Sequence, residues 1–307
     1  MICLFYLEPR ISYHHWTVLA SAQDFPSKPI TFIVPFTAGS ATNQLGRTIG
    51  QGVTEQTGQS IIVENRPGAS GMIGTSMAAC AAPDGYTVLI DTNTSHAANQ
   101  HLYKKLAYDP FKDFIPIPLL GQGGQIMVVN PSSSAKTVKE FLALARKEPG
   151  RMSFASGSAS RRIAGELFQQ IAGVEMLHVP YKSNPLAVTD LLDGQTDMII
   201  TDAATGLPQT QSGKLWELGV TSLNCSALLP YVRPIAEAGL PGYEMGYWFA
   251  AYVPAGTPDT VVTRLNVLLT KPMSSAAARQ FYESTGTEAV PSTSVALAQF
   301  QQAESEK

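Results

Sequence analysis

With 307 residues, only 15% charged side chains and a net charge of −3, the chain has no clustered cations. Phosphate backbones and anionic bilayers both require such clusters, so nucleic acid and membrane surfaces are excluded as partners. Hydrophobic residues make up 44% of a chain well beyond the usual domain of roughly 100–150 residues, which predicts two lobes with separate cores.

Residues 1–22 read as a degenerate signal peptide or a disordered tail. Ala20-Ser21-Ala22 has the small-x-small form of a signal-peptidase site, but Glu8, Pro9, Arg10, His14 and His15 interrupt the apolar stretch before it. From Pro29 onward short β-rich runs alternate with helix-period segments. Strands are predicted over 30–34, 61–63 and 87–90, and helices over 43–57 and 72–82. In 43–57, Leu45, Ile49 and Val53 recur on one face, and Gly58 is placed to stop the helix. Segments 114–120 and 126–129 flank Gly121-Gln122-Gly123-Gly124, a pattern suited to a crossing between lobes.

A second series follows. It has a helix over 137–147 behind Thr137 as N-cap, a strand over 152–155, a helix over 162–171 and a strand over 176–180. A helix over 186–192 and strands over 197–202 and 215–221 complete it. The apolar strand 247–253 would cross back, and Pro258 opens a further helix. Such alternation predicts mostly parallel sheets with right-handed crossovers. The expected fold is therefore two-lobed α/β, each sheet flanked by helices, with a ligand cleft between the lobes. Lobe 1 is assigned 23–124 and 226–307, and lobe 2 is assigned 125–225.

The cysteines are Cys3, Cys80 and Cys225, with no C-x-x-C spacing, so zinc and dithiol redox sites have no support. Cys80, among alanines, reads as a small buried hydrophobe, and a Cys80–Cys225 pairing stays open.

Nucleotide-binding, nucleophile-elbow and zinc-protease motifs are absent; the one Gly-Lys, Gly213-Lys214, precedes Leu215. His14, His15, His96, His101 and His178 lack metal-ligand spacing, and neither metal nor cofactor is implied. His178, in an apolar strand, reads as a hydrogen-bonded core residue. What the chain does have is Gly/Ser/Thr loops where strands feed helices, at 37–42, 92–95 and 156–160. They either hold an anion on helix N-terminal N–H groups or simply cap the helices. Placed at strand C-termini in both lobes, they favour a shared anion site. The competing reading is an α/β hydrolytic enzyme in the same cleft with a Ser or Asp nucleophile, since triads are assembled in space.

Six motifs carry a family likeness: Pro35-Phe36-Thr37-Ala38-Gly39-Ser40, Val63-Glu64-Asn65-Arg66-Pro67-Gly68-Ala69, Ala82-Pro83-Asp84-Gly85-Tyr86-Thr87, His178-Val179-Pro180-Tyr181-Lys182, Asp190-Leu191-Leu192-Asp193-Gly194-Gln195 and Pro254-Ala255-Gly256-Thr257-Pro258. In this ordered set the chain resembles the tripartite tricarboxylate transporter substrate-binding proteins, the Bug receptors. The resemblance implies a non-enzymatic periplasmic Venus flytrap, expected to be a monomer, that captures a small carboxylate. It implies delivery to a membrane permease of one large and one small subunit. It implies ligand contacts from Phe36, Thr37, Ala38, Gly39, Ser40 and Thr42, from Thr92, Thr94 and Ser95, from Ser156, Ser158 and Ser160, and from an aspartate matching Asp202.

Departures from the family pattern also guide expectation. Ser40 and Asn43 stand where its first loop has a glycine and an aspartate, and the loop after Phe154 is shorter. Arg162 stands at a position where histidine is common. One of Arg161 and Arg162, which open the helix, is expected to point into the cleft and hold a second ligand carboxylate, with Arg162 favoured by that position; pairing of Arg162 with Glu166 on the helix surface is the other account. Asp202 either accepts from a ligand hydroxyl or amine, or caps a helix over 203–211.

Overall fold

The computed structural model describes residues 25–223 and 228–306. Segment 1–22 and Cys225, with its pairing to Cys80, lie outside them. Described Cys80 is exposed rather than buried, because the helix ahead of it ends at Ala79 and turns its alanine face, Ala78, inward instead.

The first lobe begins with β1 (Ile30–Val34), α1 (Ala41–Thr57), β2 (Ile61–Asn65), α2 (Met72–Ala79), β3 (Thr87–Thr92), α3 (Asn99–Leu102) and β4 (Phe114–Gly124). The chain then passes directly into β5 (Ile126–Val129). The second lobe continues with α4 (Val138–Lys147), β6 (Ser153–Ser156), α5 (Ala159–Ala172), β7 (Leu177–Pro180), α6 (Asn184–Leu192), β8 (Met198–Thr201), α7 (Ala203–Gln211), β9 (Trp216–Val220) and α8 (Ile235–Ala238). β10 (Gly246–Pro254) returns to the first lobe, which closes with α9 (Asp259–Thr270), α10 (Ala276–Thr285) and α11 (Ser294–Glu306).

The sheets run β2-β1-β3-β10-β4 and β7-β6-β8-β5-β9. In each, the first three strands are parallel and the fourth is antiparallel to both neighbours. That fourth strand, β10 or β5, is the one by which the chain enters from the other lobe. Period-2 alternation sorts side chains to opposite sheet faces. Ile30, Phe32 and Val34 meet Leu45, Ile49 and Val53 of α1 on one face, while Ile33 and Leu89 meet Trp248 and Tyr252 on the other.

Local chemistry fixes the helix ends. α1 starts two residues before the predicted 43 because Ser40 Oγ accepts from Asn43 N, and Gly58 ends it at φ 71°. α4 is capped by Thr137, whose Oγ1 accepts from Glu140 N, and Glu140 Oε2 in turn accepts from Lys136 N, one residue before the cap.

The crossings lie side by side, Gly246 of β10 pairing with Gly124 of β4. Thr221 ties them together: Gln125 N donates to its hydroxyl (2.7 Å), and Met245 N donates to its carbonyl (3.1 Å). Leu229, Val232, Ile235, Leu240 and Tyr243 pack into the second lobe's cores. We therefore place the return crossing, as a proposal, at Gly246 rather than at 226.

Candidate ligand-binding cleft

Where β1, β6, β7 and β8 end, the chain turns straight into α1, α5, α6 and α7, and all four helix N-termini meet between the lobes. Ser40, Ala41 and Thr42 come from α1, Ser158 from α5, Ser183 and Asn184 from α6, and Asp202 from α7; all line one cavity of about 30 Å3. Phe36, Thr92, Thr94, Gly157, Arg161, Tyr247 and Phe249 complete its wall. The first N–H groups of a helix have no intrahelical partner, and aligned peptide dipoles place partial positive charge there. The α5 and α6 caps, Ser158 and Ser183, make no side-chain cap hydrogen bond, so those termini keep their donors for something else.

The lobes touch through hydroxyls. Thr94 Oγ1 lies 2.9 Å from Ser160 Oγ, and Ser160 Oγ lies 3.2 Å from Ser158 Oγ. Gly157 allows the β6–α5 loop to lie directly on the α6 terminus, since a Cβ there would fall 2.1 Å from Asn184 N.

The charged pair in the cleft is Arg161 with Asp202 (3.3 Å), both nearly fully buried. Asp202 Oδ1 accepts from Thr205 N (3.0 Å) and Thr205 Oγ1 (2.8 Å). Its Oδ2 accepts from Asn184 Nδ2 (2.8 Å) and Arg161 Nη2. A carboxylate has about four acceptor sites, so Asp202 is saturated: it caps α7 and holds Arg161 and Asn184. The guanidinium of Arg161 also donates from Nη1 to Ser160 Oγ (3.2 Å) and sits 5.4 Å from the Tyr247 ring centroid. Burial pushes the Tyr247 hydroxyl up to about 12, Asp202 adds to the rise, and Thr287 and Arg161 oppose it.

Of the residues expected at the site, Phe36, Ser40, Thr42, Thr92, Thr94, Ser158 and Asp202 line the cavity, and Ser160 bridges the lobes beside it. Thr37, Ala38 and Gly39 form the outer half of their loop, with Ala38 and Gly39 exposed. Ser95 turns inward to Asp91, which also accepts from Thr75 Oγ1 (2.9 Å). Ser156 points to His178 Nε2 (2.7 Å). Arg162 does not reach the cleft. Its side chain is 42% exposed and pairs with Glu166 at 3.3 Å. Adjacent helix positions differ by about 100°, so turning Arg161 inward turns Arg162 out.

Of the two arginines the sequence offered for the cleft, Arg161 rather than the favoured Arg162 lines the cavity, and sequence reasoning missed Gly157, Ser183, Asn184, Tyr247 and Phe249. The strand-to-helix rule that found the other loops also applies at Ser183-Asn184-Pro185. Tyr247 and Phe249 sit one period apart on an apolar strand whose cleft side depends on tertiary pairing.

Two Ser/His groupings could suggest hydrolysis. Asp91, Ser95 and His96 are fully buried, with His96 stacked on Tyr252 at 3.7 Å, out of reach of any substrate. The Ser156–His178 pair does not line the cavity. A larger cavity of about 610 Å3 opens at the hinge, lined mainly by 122–126, 244–248, 282–283 and 285–288; the starts of α1, α5 and α6 face the smaller one.

The description "Tripartite tricarboxylate transporter family receptor" fits residues 45–307. The chain belongs to that family. Protein BugT of Bordetella pertussis is 31% identical over 276 residues, covering 89% of this chain and 85% of that one. The R. palustris protein Rpa4515, solved with adipate, superposes with a TM-score of 0.89 at 32% identity, covering 92% of this chain and 95% of that one. The periplasmic binding protein BugD superposes with a TM-score of 0.87 at 28% identity over 92% and 95%. The receptor is thus a two-lobed solute-binding protein of a transport system and not an enzyme. Among the described residues no helix is long and apolar enough to cross a membrane.

Proposed function

We propose that this receptor captures a small carboxylate between its lobes in the periplasm and, as a monomer, delivers it to a permease of one large and one small subunit. The observation that carries the carboxylate is the meeting of α1 and α5 N-termini from opposite lobes across a hydroxyl-lined cavity. A carboxylate between them accepts charge-assisted hydrogen bonds from both, each worth about 1.5–3 kcal/mol at most. It is stabilised only when the lobes are together, so ligand and closure are coupled. Ser40, Thr42 and Ser158 supply the nearby hydroxyls, and the adipate bound by Rpa4515 agrees in ligand class. Arg161 and Asp202 cancel in charge, leaving the helix ends as the net attraction for an anion.

Calorimetric titration with a panel of short mono-, di- and tricarboxylates tests this. At least one acid should bind and raise the melting temperature, by about 2.7 kcal/mol of apparent stability at 100 times its dissociation constant. A panel without a binder would overturn the reading.

A further inference from the structure

Three buried polar atoms around the cleft lack a hydrogen-bond partner: Arg161 Nε, Ser183 Oγ and Asn184 Oδ1. Their residues all line the same cavity. Arg161 is 6% exposed and Ser183 1%. Buried polar groups are almost always paired, so an orphaned set of three around one small cavity marks a place where a ligand group is read. None of the three belongs to the α1 terminus that faces them from the other lobe.

The set has a definite polarity. Arg161 Nε–H only donates. Asn184 Oδ1 only accepts, because the amide's nitrogen end is already committed to Asp202 Oδ2 at 2.8 Å. Ser183 Oγ does either. We infer that the second polar group of the captured carboxylate is a hydroxyl, received by Arg161, Ser183 and Asn184, so that the ligand is a short hydroxymonocarboxylate. A hydroxyl has one donor and two acceptor sites, and it satisfies all three atoms at once: it donates to Asn184 and accepts from Arg161 and Ser183. A second carboxylate has no proton for Asn184 Oδ1. It would also compete with Asp202 for Arg161, placing two carboxylates on one buried cation. An ammonium group cannot accept from Arg161 Nε. The volume, about 30 Å3, points to a short chain. This inference rests on the carboxylate reading above.

The test is calorimetric titration of the full chain with pairs of acids differing by one hydroxyl: 2-hydroxypropanoate against propanoate, and 3-hydroxybutanoate against butanoate, with succinate as the dicarboxylate. One hydroxy acid should bind at least tenfold more tightly than its parent and than succinate. In Ser183→Ala and Asn184→Ala the ratio between hydroxy acid and parent should fall towards one. A structural role alone would weaken both acids equally and leave the ratio intact, which counts against the inference. Equal binding of hydroxy acid and parent by the wild type would mean the three atoms hold only water, and tighter binding of succinate would mean Arg161 leaves Asp202 for a second carboxylate. Either result overturns the hydroxyl while keeping the carboxylate. If no acid binds, the carboxylate reading itself fails and takes the hydroxyl with it.

Discussion

Arg161 Nη2 stands 3.3 Å from Asp202 Oδ2, with side chains only 7% and 5% exposed, and the pair joins the start of α5 to the start of α7. A cation in the first turn of α5 opposes the helix dipole; Asp202 and the Tyr247 ring offset that cost. Removing one member leaves a buried charge without compensation. Asp202→Ala also uncaps α7, so it should destabilise the protein by about 3–5 kcal/mol in urea unfolding. Arg161→Met combined with Asp202→Asn should recover most of the loss, because asparagine caps well and no charge remains. A double variant as unstable as the single one would show that the pair does not act as a unit.

Arg162 is the control. Its pair with Glu166 is an exposed i,i+4 contact. Arg162→Ala should cost less than about 0.5 kcal/mol of stability and leave carboxylate affinity within about twofold. A larger loss of affinity would return Arg162 to the cleft.

The contrast between these neighbours shows what the sequence could disclose. Residue type and periodicity mark the strand-to-helix loops that carry Ser40, Thr42, Thr94 and Ser158, and the Gly-rich segment that ends β4 at Gly124. Which of two consecutive arginines turns inward depends on helix phase, and phase is set by the packing of Ala164, Gly165 and Phe168 against β6. The saturation of Asp202 was equally hidden, since Asn184 and Arg161 reach it from helices 18 and 41 residues away in the chain. Residues 228–243 carry too little periodicity to reveal which lobe they join.

Gly157 provides a steric test. An alanine Cβ would lie 2.1 Å from Asn184 N and 2.2 Å from the Ser183 carbonyl carbon, both backbone atoms that cannot rotate away. Gly157→Ala should push the α5 and α6 termini apart and weaken ligand binding at least about tenfold, or 1.4 kcal/mol. Unaltered affinity would separate those termini from the site.

His178 should give the stability curve a pH dependence. Burial holds its pKa below the usual value, the Arg162 cation lowers it further, and Glu166 partly opposes them. The folded protein thus takes up a proton less readily than the unfolded chain. The His178 contribution is intact above about pH 6.5 and is lost as pH falls through the lower folded value. His178→Gln should flatten the stability profile in that window while keeping a hydrogen-bonding partner for Ser156. An unchanged slope would assign the acid sensitivity to other groups.

The Thr94–Ser160 contact exists only while the lobes are together, because Thr94 belongs to the first lobe and Ser160 to the second. Thr94→Val keeps the shape of the side chain and removes the hydroxyl. Ser160 retains Ser158 and Arg161 as partners, so no buried polar atom is newly orphaned there. The loss is then that of one ordinary hydrogen bond, about 1 kcal/mol. It falls on the closed state alone, so ligand should leave roughly fivefold faster while the association rate hardly changes. Stopped-flow measurement with a carboxylate that binds the wild type separates the two rates. A slower association with unchanged dissociation would mean that Thr94 acts on the open form, and that the hydroxyl bridge does not hold the lobes closed.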